Sequence, residues 1–196
     1  MTLDTSLSPD LDPRRTAILG AAFESFARYG YRRTTMEDIA RATGLSRAAL
    51  YLHFQNKQDI LRSLTQYYFD ATEARMRLAL DPANKPKHAL AAAFEAKFGP
   101  EMQVLIESPH GAELLDIKHS ESADLIAAGE ARLAGLLADW LRRETASGRI
   151  APGPLGADPD LLAQTMVAAL AGAKMAANPR AAIQLLAQTF ARALKP

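Results

Sequence analysis

Three dipeptides constrain this chain more than any other feature: Asp12-Pro13, Asp158-Pro159 and Asn178-Pro179. In each, a short polar side chain stands before a proline, and a segment of helical apolar spacing follows. Asp or Asn can accept hydrogen bonds from the free amides of a first helical turn. Proline is tolerated in that turn, because the amide it lacks would be unpaired there and its φ is already helical. After Pro13, the residues Ile18, Leu19, Ala22, Phe23 and Phe26 fall on one stripe, and Gly30 can close the helix. No run shows the period-two alternation of a half-buried strand, and Ala and Leu, both strong helix formers, dominate. The expected fold class is all-α.

The remaining boundaries follow from the same signals. A second helix is expected from Thr34, with Glu37 three residues on as a capping box, ending near Gly44. A third, short helix covers about 46–53. A fourth starts at Asn56 and runs towards Leu80, with Ile60, Leu61, Leu64, Tyr68 and Ala71 on one face. Pro86, Pro100 and Pro109 divide the next stretch into two or three shorter helices. A long helix over about 122–146 carries Leu125, Leu133, Leu136, Leu137 and Trp140. The segment from Gly148 to Ala157 reads as a loop, with three Gly and two Pro, and two last helices cover 159–177 and 179–194.

The net charge of +1 hides an asymmetry. Residues 13–62 hold nine Lys and Arg against four Asp and Glu, whereas the rest of the chain holds 14 against 18. A basic head on an acidic body fits contact with a polyanion at one end, or a merely solvated basic face. There is no cysteine, which excludes disulfides, thiolate zinc sites and a cysteine nucleophile. The first twelve residues carry three Asp and no Lys or Arg, unlike a signal peptide. The uncharged run from Leu161 to Ala173 is 13 residues long, short of the roughly 20 that a spanning helix needs. A buried helix and a cytoplasmic protein with no membrane partner are expected.

The segment from Thr34 to Leu61 carries the functional signal: a short helix, a Gly turn and a second short helix, the layout of a helix-turn-helix. Ile39 and Ala40 can pack inward, with the small Ala40 permitting a close helix crossing. Gly44 can take a positive φ at the turn, and Leu45 and Leu50 can fill the space between the two helices. Arg47, Ala48, Ala49, Tyr51 and His53 are then left to face outward. Small residues at 48 and 49 would let this helix sit deep in a DNA major groove, which just admits a helix.

In register across this stretch stand Thr34-Thr35, Ile39-Ala40, Gly44-Leu45-Ser46, Leu50-Tyr51, Phe54 and Lys57, with Phe26, Gly30 and Tyr31 upstream. This combination resembles the N-terminal domain of the tetracycline-repressor (TetR/AcrR) family, over about residues 13–62. The resemblance implies a tail over 1–12, a three-helix DNA-binding domain over 13–56, and a larger helical effector-binding and dimerisation domain over 57–196. It implies that the helix after Ser46 reads DNA. Arg47 would contact a base edge or a phosphate, Thr35, Tyr51, His53 and Lys57 would hold phosphates, and Ser46 and Ala48 belong to the same DNA-facing set. Lys57 also stands in the first turn of its helix, where the helix dipole disfavours a cation and a docked phosphate would relieve the conflict. Ala48 and Ala49 depart from the family's usual Gly and hydroxyl residue, which bears on the operator read rather than on DNA binding.

The resemblance further implies that the last two helices pair with their copies in a second subunit. Candidate interface residues are Leu162, Met166, Ala169, Leu170 and Ala173 on one helix and Ile183, Leu186 and Phe190 on the other. The same stripes could be intramolecular core. A small-molecule effector would bind among the middle helices, where Phe94, Phe98, Met102, Leu105 and Trp140 are the candidate lining. No cofactor is expected. His110, Glu113, Asp116 and His119 follow at three-residue steps that drift around a helix, so they share no face for a metal. The expected function is a non-enzymatic, sequence-specific regulator: a homodimeric repressor released from a palindromic double-stranded operator by a small-molecule effector. The alternative is a helical small-molecule-sequestering protein or enzyme. Against an enzyme stand the missing phosphate-binding Gly loop and the missing metal-spaced His pair.

Overall fold

The computed structural model describes residues 12–153 and 158–195, and of residues 117–119 the backbone only. Residues 1–11 of the expected tail and residues 154–157 of the expected loop lie outside the described residues. Ten helices make up the regular structure that is described: α1 (Pro13–Tyr29), α2 (Met36–Thr43), α3 (Arg47–Tyr51), α4 (Lys57–Ala79), α5 (Pro86–Lys97), α6 (Pro100–Glu107), α7 (Gly111–Glu121), α8 (Ala123–Ala146), α9 (Pro159–Ala173) and α10 (Pro179–Ala193).

All three polar–proline pairs cap helices. The Asp12 carboxylate accepts from the amides of Arg14 and Arg15, at 2.8 and 3.0 Å. Asp158 accepts from Leu161 and Asn178 from Ala181 in the same way. Gly30 closes α1 with a φ of 89°. α2 begins one residue later than the sequence predicts. Thr34 is buried and its hydroxyl donates to the Gly30 carbonyl at 2.8 Å, which closes the preceding turn. Thr35 is therefore the cap, and Asp38 rather than Glu37 completes the capping box. Pro86 and Pro100 begin α5 and α6, and Pro109 lies in the turn before α7. α9 stops at Ala173, four residues short of expectation.

The chain divides into two compact units. The first contains the residues up to Ala71 together with Pro100–Ala127, and the second contains Thr72–Gly99 together with the residues from Ala128 on. The expected boundary after residue 56 does not coincide with this division, because α4 and α8 each contribute to both units. The core of the first unit gathers the apolar stripes of α1 and α4 around Ile39, Leu50 and Phe54, with Leu105 and Leu114 from α6 and α7. Each such side chain, fully buried, contributes about 1.5–3 kcal/mol.

In the second unit α5 packs on α10, with Phe94 and Phe190 edge to face at 5.9 Å. Two polar anchors lie within it. Lys97 is buried, 3.2 Å from Glu130 Oε1. Glu144 is buried between Arg143 and Arg149, whose guanidinium groups also grip the carbonyls of Leu80, Pro82 and Asn84.

The candidate interface residues require a correction. Leu162, Met166, Leu170, Ala173 and Ile183 are buried within the single chain. Their surface is already spent on the core of the second unit and cannot also face a partner. Ala169, Leu186 and Phe190 are half-buried. The outward apolar residues of these helices are Leu161 (60% exposed), Met175 (80%) and Leu185 (64%).

Candidate nucleic-acid interface

The turn between α2 and α3 is made by Gly44, whose φ of 68° and ψ of 16° lie in the left-handed region that favours glycine. Its amide donates back to α2, and Leu45 donates to Ala40 at 2.9 Å, so the entry to α3 is fixed by the backbone. Ser46 caps α3, its hydroxyl accepting from Ala49 at 3.1 Å. Ile39, Ala40 and Leu50 are buried and Leu45 is packed against the same core. What faces out on α3 is Arg47, Ala48 and Tyr51, all exposed, with the Arg47 guanidinium 5.6 Å from the Tyr51 ring. Ala49 and His53 are half-buried and Leu52 is exposed. A charged head, a small residue and a phenol side by side on a helix held by an apolar floor can offer hydrogen bonds to base edges and phosphates.

Thr35 is exposed, but its hydroxyl is engaged in the cap. It donates to Asp38 Oδ2 at 2.7 Å and accepts from the Asp38 amide at 3.2 Å. The hydroxyl and the backbone amide of Thr35, the latter donating to Asp38 Oδ2 at 2.9 Å, hold the Asp38 carboxyl below its usual range. The Thr35 hydroxyl can still accept, though not donate, without breaking the capping box.

Lys57 is placed differently from the expectation. Its ammonium donates to the carbonyls of Tyr31, Arg32 and Thr34 at 2.8, 3.2 and 3.2 Å, and lies 4.6 Å from the centre of the Tyr31 ring. Burial lowers its pKa, opposed by the Glu113 carboxylate. The conflict with the helix dipole is thus relieved inside the molecule, by three carbonyl oxygens, and requires no phosphate. Sequence reasoning missed this because the partners lie 23–26 residues away and are backbone atoms, which carry no side-chain signal.

Other residues that shape this surface were not legible either. Arg15 stacks its guanidinium over Phe54 at 4.2 Å and donates to the His53 carbonyl at 2.6 Å, tying the start of α1 to the end of α3. Glu113, on α7, accepts from the Arg32 amide at 3.2 Å. A Cβ at Gly30 would lie 2.8 Å from the same carboxylate, so this glycine answers both to its φ and to α7. Arg62 binds Asp124 with two parallel bonds of 2.8 and 2.6 Å, which hold the Asp124 carboxyl at about 2. α7 and the start of α8 therefore brace α4 and the turn before α2 within the first unit.

The five candidate effector residues are not gathered around one described cavity. Phe94 and Met102 are buried and Phe98 is half-buried. Leu105 lines a cavity of about 30 Å³ in the first unit, with Phe23, Tyr68 and Leu114, room for no more than a water or two. Trp140 lines an open slot of about 270 Å³ in the second unit. Among the described residues no cluster of His, Asp and Glu could hold a metal ion; His110 Nδ1 lies 3.3 Å from Glu113, and the His119 side chain is outside the described residues. No helix among them is long and apolar enough to cross a membrane.

Comparison with known proteins finds likeness over the N-terminal part of the sequence and over the fold. The sequence profile described as "Bacterial regulatory proteins, tetR family" matches residues 18–64. The transcriptional repressor KstR2 of Mycobacterium tuberculosis is 34% identical over 88 residues, 45% of this chain and 44% of that protein. The transcriptional activator FasR of Mycolicibacterium smegmatis is 36% identical over 87 residues, 44% of this chain and 40% of FasR. The aligned stretch is thus under half the length of either relative. Among solved structures, SmeT, the repressor of a Stenotrophomonas maltophilia multidrug efflux pump, superposes with a TM-score of 0.70 at 23% identity, covering 92% of this chain and 89% of SmeT. A SmeT–triclosan complex superposes at 0.67 and 21% identity, covering 94% and 93%. At these identities the likeness is one of fold.

Proposed function

We infer that this chain, which belongs through its N-terminal domain to the TetR family of bacterial regulatory proteins, is a sequence-specific regulator that binds double-stranded operator DNA through α3. The observation that carries the reading is the outward face of α3. Arg47, Ala48 and Tyr51 are exposed on a helix whose Leu50 is wholly buried and whose entry is set by a left-handed Gly44. In this reading Arg47 contacts a base edge or a phosphate, Ser46 and Ala48 approach the groove, and Thr35, Tyr51 and His53 contact phosphates. Lys57 supports the interface from behind by holding the Tyr31–Thr34 turn. The reading places the protein in the cytoplasm with its DNA, and it is not that of an enzyme.

The chain acts as a homodimer on a palindromic operator, since one such helix spans only one half-site. The partner face we propose is the outward one. Leu161, Thr165, Ala168, Gly172 and Met175 recur along α9 and the turn after it at alternating four- and three-residue steps, and all are exposed. Leu185 and Thr189 extend an exposed strip on α10. A heptad-like row of small and apolar residues suits close packing of helices from two copies.

Release by a small molecule, with repression as the resting output, is the regulatory reading. It draws on KstR2 and SmeT, both described as repressors, and on the SmeT–triclosan complex. Selection of binding sites from random duplex DNA tests the central claim. An enriched palindrome is expected, and an unenriched pool overturns it.

A further inference from the structure

The outermost line of α3 is apolar. Leu50 is wholly buried, and Phe54, four residues on, is buried on the same side. The Phe54 amide donates to the Leu50 carbonyl at 3.1 Å and Leu52 keeps helical angles (φ −70°, ψ −23°), so the helical path continues past Tyr51. At about 100° per residue, the positions two before and two after Leu50 each lie within roughly 20° of the side opposite to it. Those positions are Ala48 and Leu52. Both are exposed, and Leu52, at 86%, is the most exposed large apolar side chain among the described residues. Arg47 and Tyr51 form a second row on one flank, the guanidinium 5.6 Å from the ring. Ala49, on the other flank, is half-buried.

We propose that the Ala48–Leu52 row reads thymine: the two side chains pack on the 5-methyl groups of thymines in the operator half-site, with Arg47 and Tyr51 beside them on the flank. This rests on the reading of α3 as the DNA-binding helix and deepens it by naming a base.

A single exposed leucine on a protein surface is ordinary. One at the centre of a DNA-facing helix is not, because side chains there meet the base edges. Neither Ala48 nor Leu52 can donate or accept a side-chain hydrogen bond, so the centre of α3 cannot use the donor and acceptor code of the major groove. The apolar group that the groove offers is the thymine methyl, and covering it removes apolar surface from water on both sides. Cytosine at the same place would press its amino donor against leucine, where it finds no acceptor. The fold makes no use of the Leu52 side chain, so its surface is available to DNA. One helical turn separates the two residues, about 6 Å along the axis. That is one or two base steps of about 3.4 Å, so the two thymines stand next to or near each other.

The test uses the full chain and the palindrome enriched from random duplex DNA. Each thymine of one half-site is replaced in turn by deoxyuridine, which removes the methyl and leaves every hydrogen-bonding edge in place. At the thymine facing Leu52 the wild type is expected to bind about fourfold more weakly, which corresponds to the burial of one methyl-sized group at about 0.8 kcal/mol. Leu52→Ala alters an exposed side chain and leaves the core intact. It is expected to lose the sensitivity to deoxyuridine at that position and to keep it elsewhere, so any effect of the replacement on DNA shape is cancelled in the comparison. An enriched half-site without thymine, deoxyuridine replacements that all leave wild-type affinity unchanged, or a sensitivity that Leu52→Ala retains at every position would each overturn the proposal while the DNA reading stands. An unenriched pool would overturn the DNA reading itself, and this inference with it.

Discussion

The Lys57 ammonium sits 2.8 Å from the carbonyl oxygen of Tyr31, with the carbonyls of Arg32 and Thr34 completing its three donor contacts. A residue on the first turn of α4 thereby fixes the turn that delivers α2. Lys57→Ala removes all three bonds and leaves partly buried acceptors unpaired. The expected cost is about 1–3 kcal/mol of stability, read as a lowered denaturation midpoint. DNA affinity should fall with stability while its dependence on salt keeps the same slope. A slope lower by about one would assign Lys57 to a phosphate instead.

Among the described residues, Arg47 is tied to the protein by little beyond its approach to Tyr51 at 5.6 Å. Arg47→Ala is expected to leave stability unchanged and to reduce discrimination between operator and random DNA by about 1–3 kcal/mol, if a base edge is its partner. Competition binding against random duplex measures the ratio. Equal loss on both DNAs would make Arg47 a phosphate contact.

The two faces of α9 let folding and the proposed assembly be tested separately. Ala168→Arg places a charge on the exposed row, where the monomer has room for it. It is expected to keep its helical content and to shift from twice the 21.2 kDa chain mass to that mass, because burying an unpaired charge between copies costs several kcal/mol. Leu170→Asp instead puts a charge into the core of the second unit and should unfold it. Light scattering with circular dichroism distinguishes the outcomes. A dimeric Ala168→Arg would remove this face from the interface.

Acid should loosen the brace between α4 and the start of α8. Asp124 is held at about 2 by the Arg62 guanidinium, against a usual value near 3.8. A carboxyl whose folded pKa is depressed stabilises fully above its unfolded value, and the contribution is lost as pH falls through the folded one. Denaturant midpoints should therefore decline from about pH 4 to about pH 2 more steeply in the wild type than in Asp124→Asn. Parallel declines would show that the pair contributes no measurable stability.

Local chemistry was legible because its partners lie within a few residues. Asp12, Asp158 and Asn178 cap helices by accepting from amides two or three residues on, so an isolated stretch of sequence specifies them. The Gly44 turn and the inward positions of Ile39, Ala40 and Leu50 follow from the same short range, and with them the helix-turn-helix and the exposed face of α3. Even the one-residue error at α2 is local: Thr34 and Thr35 are chemically alike, and only the burial of Thr34 against the Gly30 carbonyl decides between them.

Tertiary structure decided what depends on distant partners. In α9, Leu162, Met166, Leu170 and Ala173 form one helical stripe and Leu161, Thr165, Ala168, Gly172 and Met175 form another. Both are free of charge, so periodicity could locate the helix but not say which side turns inward; packing within the second unit settles that. Lys57 binds main-chain carbonyls, and Glu113 binds an amide 81 residues away, contacts that no residue type announces in sequence. Trp140 was legible as a large side chain among many alanines. That its indole nitrogen is buried and, among the described residues, has no acceptor follows only from the packing of the second unit. The sequence by itself determined the helices, their caps and the helix-turn-helix, because those rest on bonds between near neighbours. Which faces are buried, and which polar groups are left unsatisfied, was decided by the tertiary structure, because burial is a property of the assembled chain.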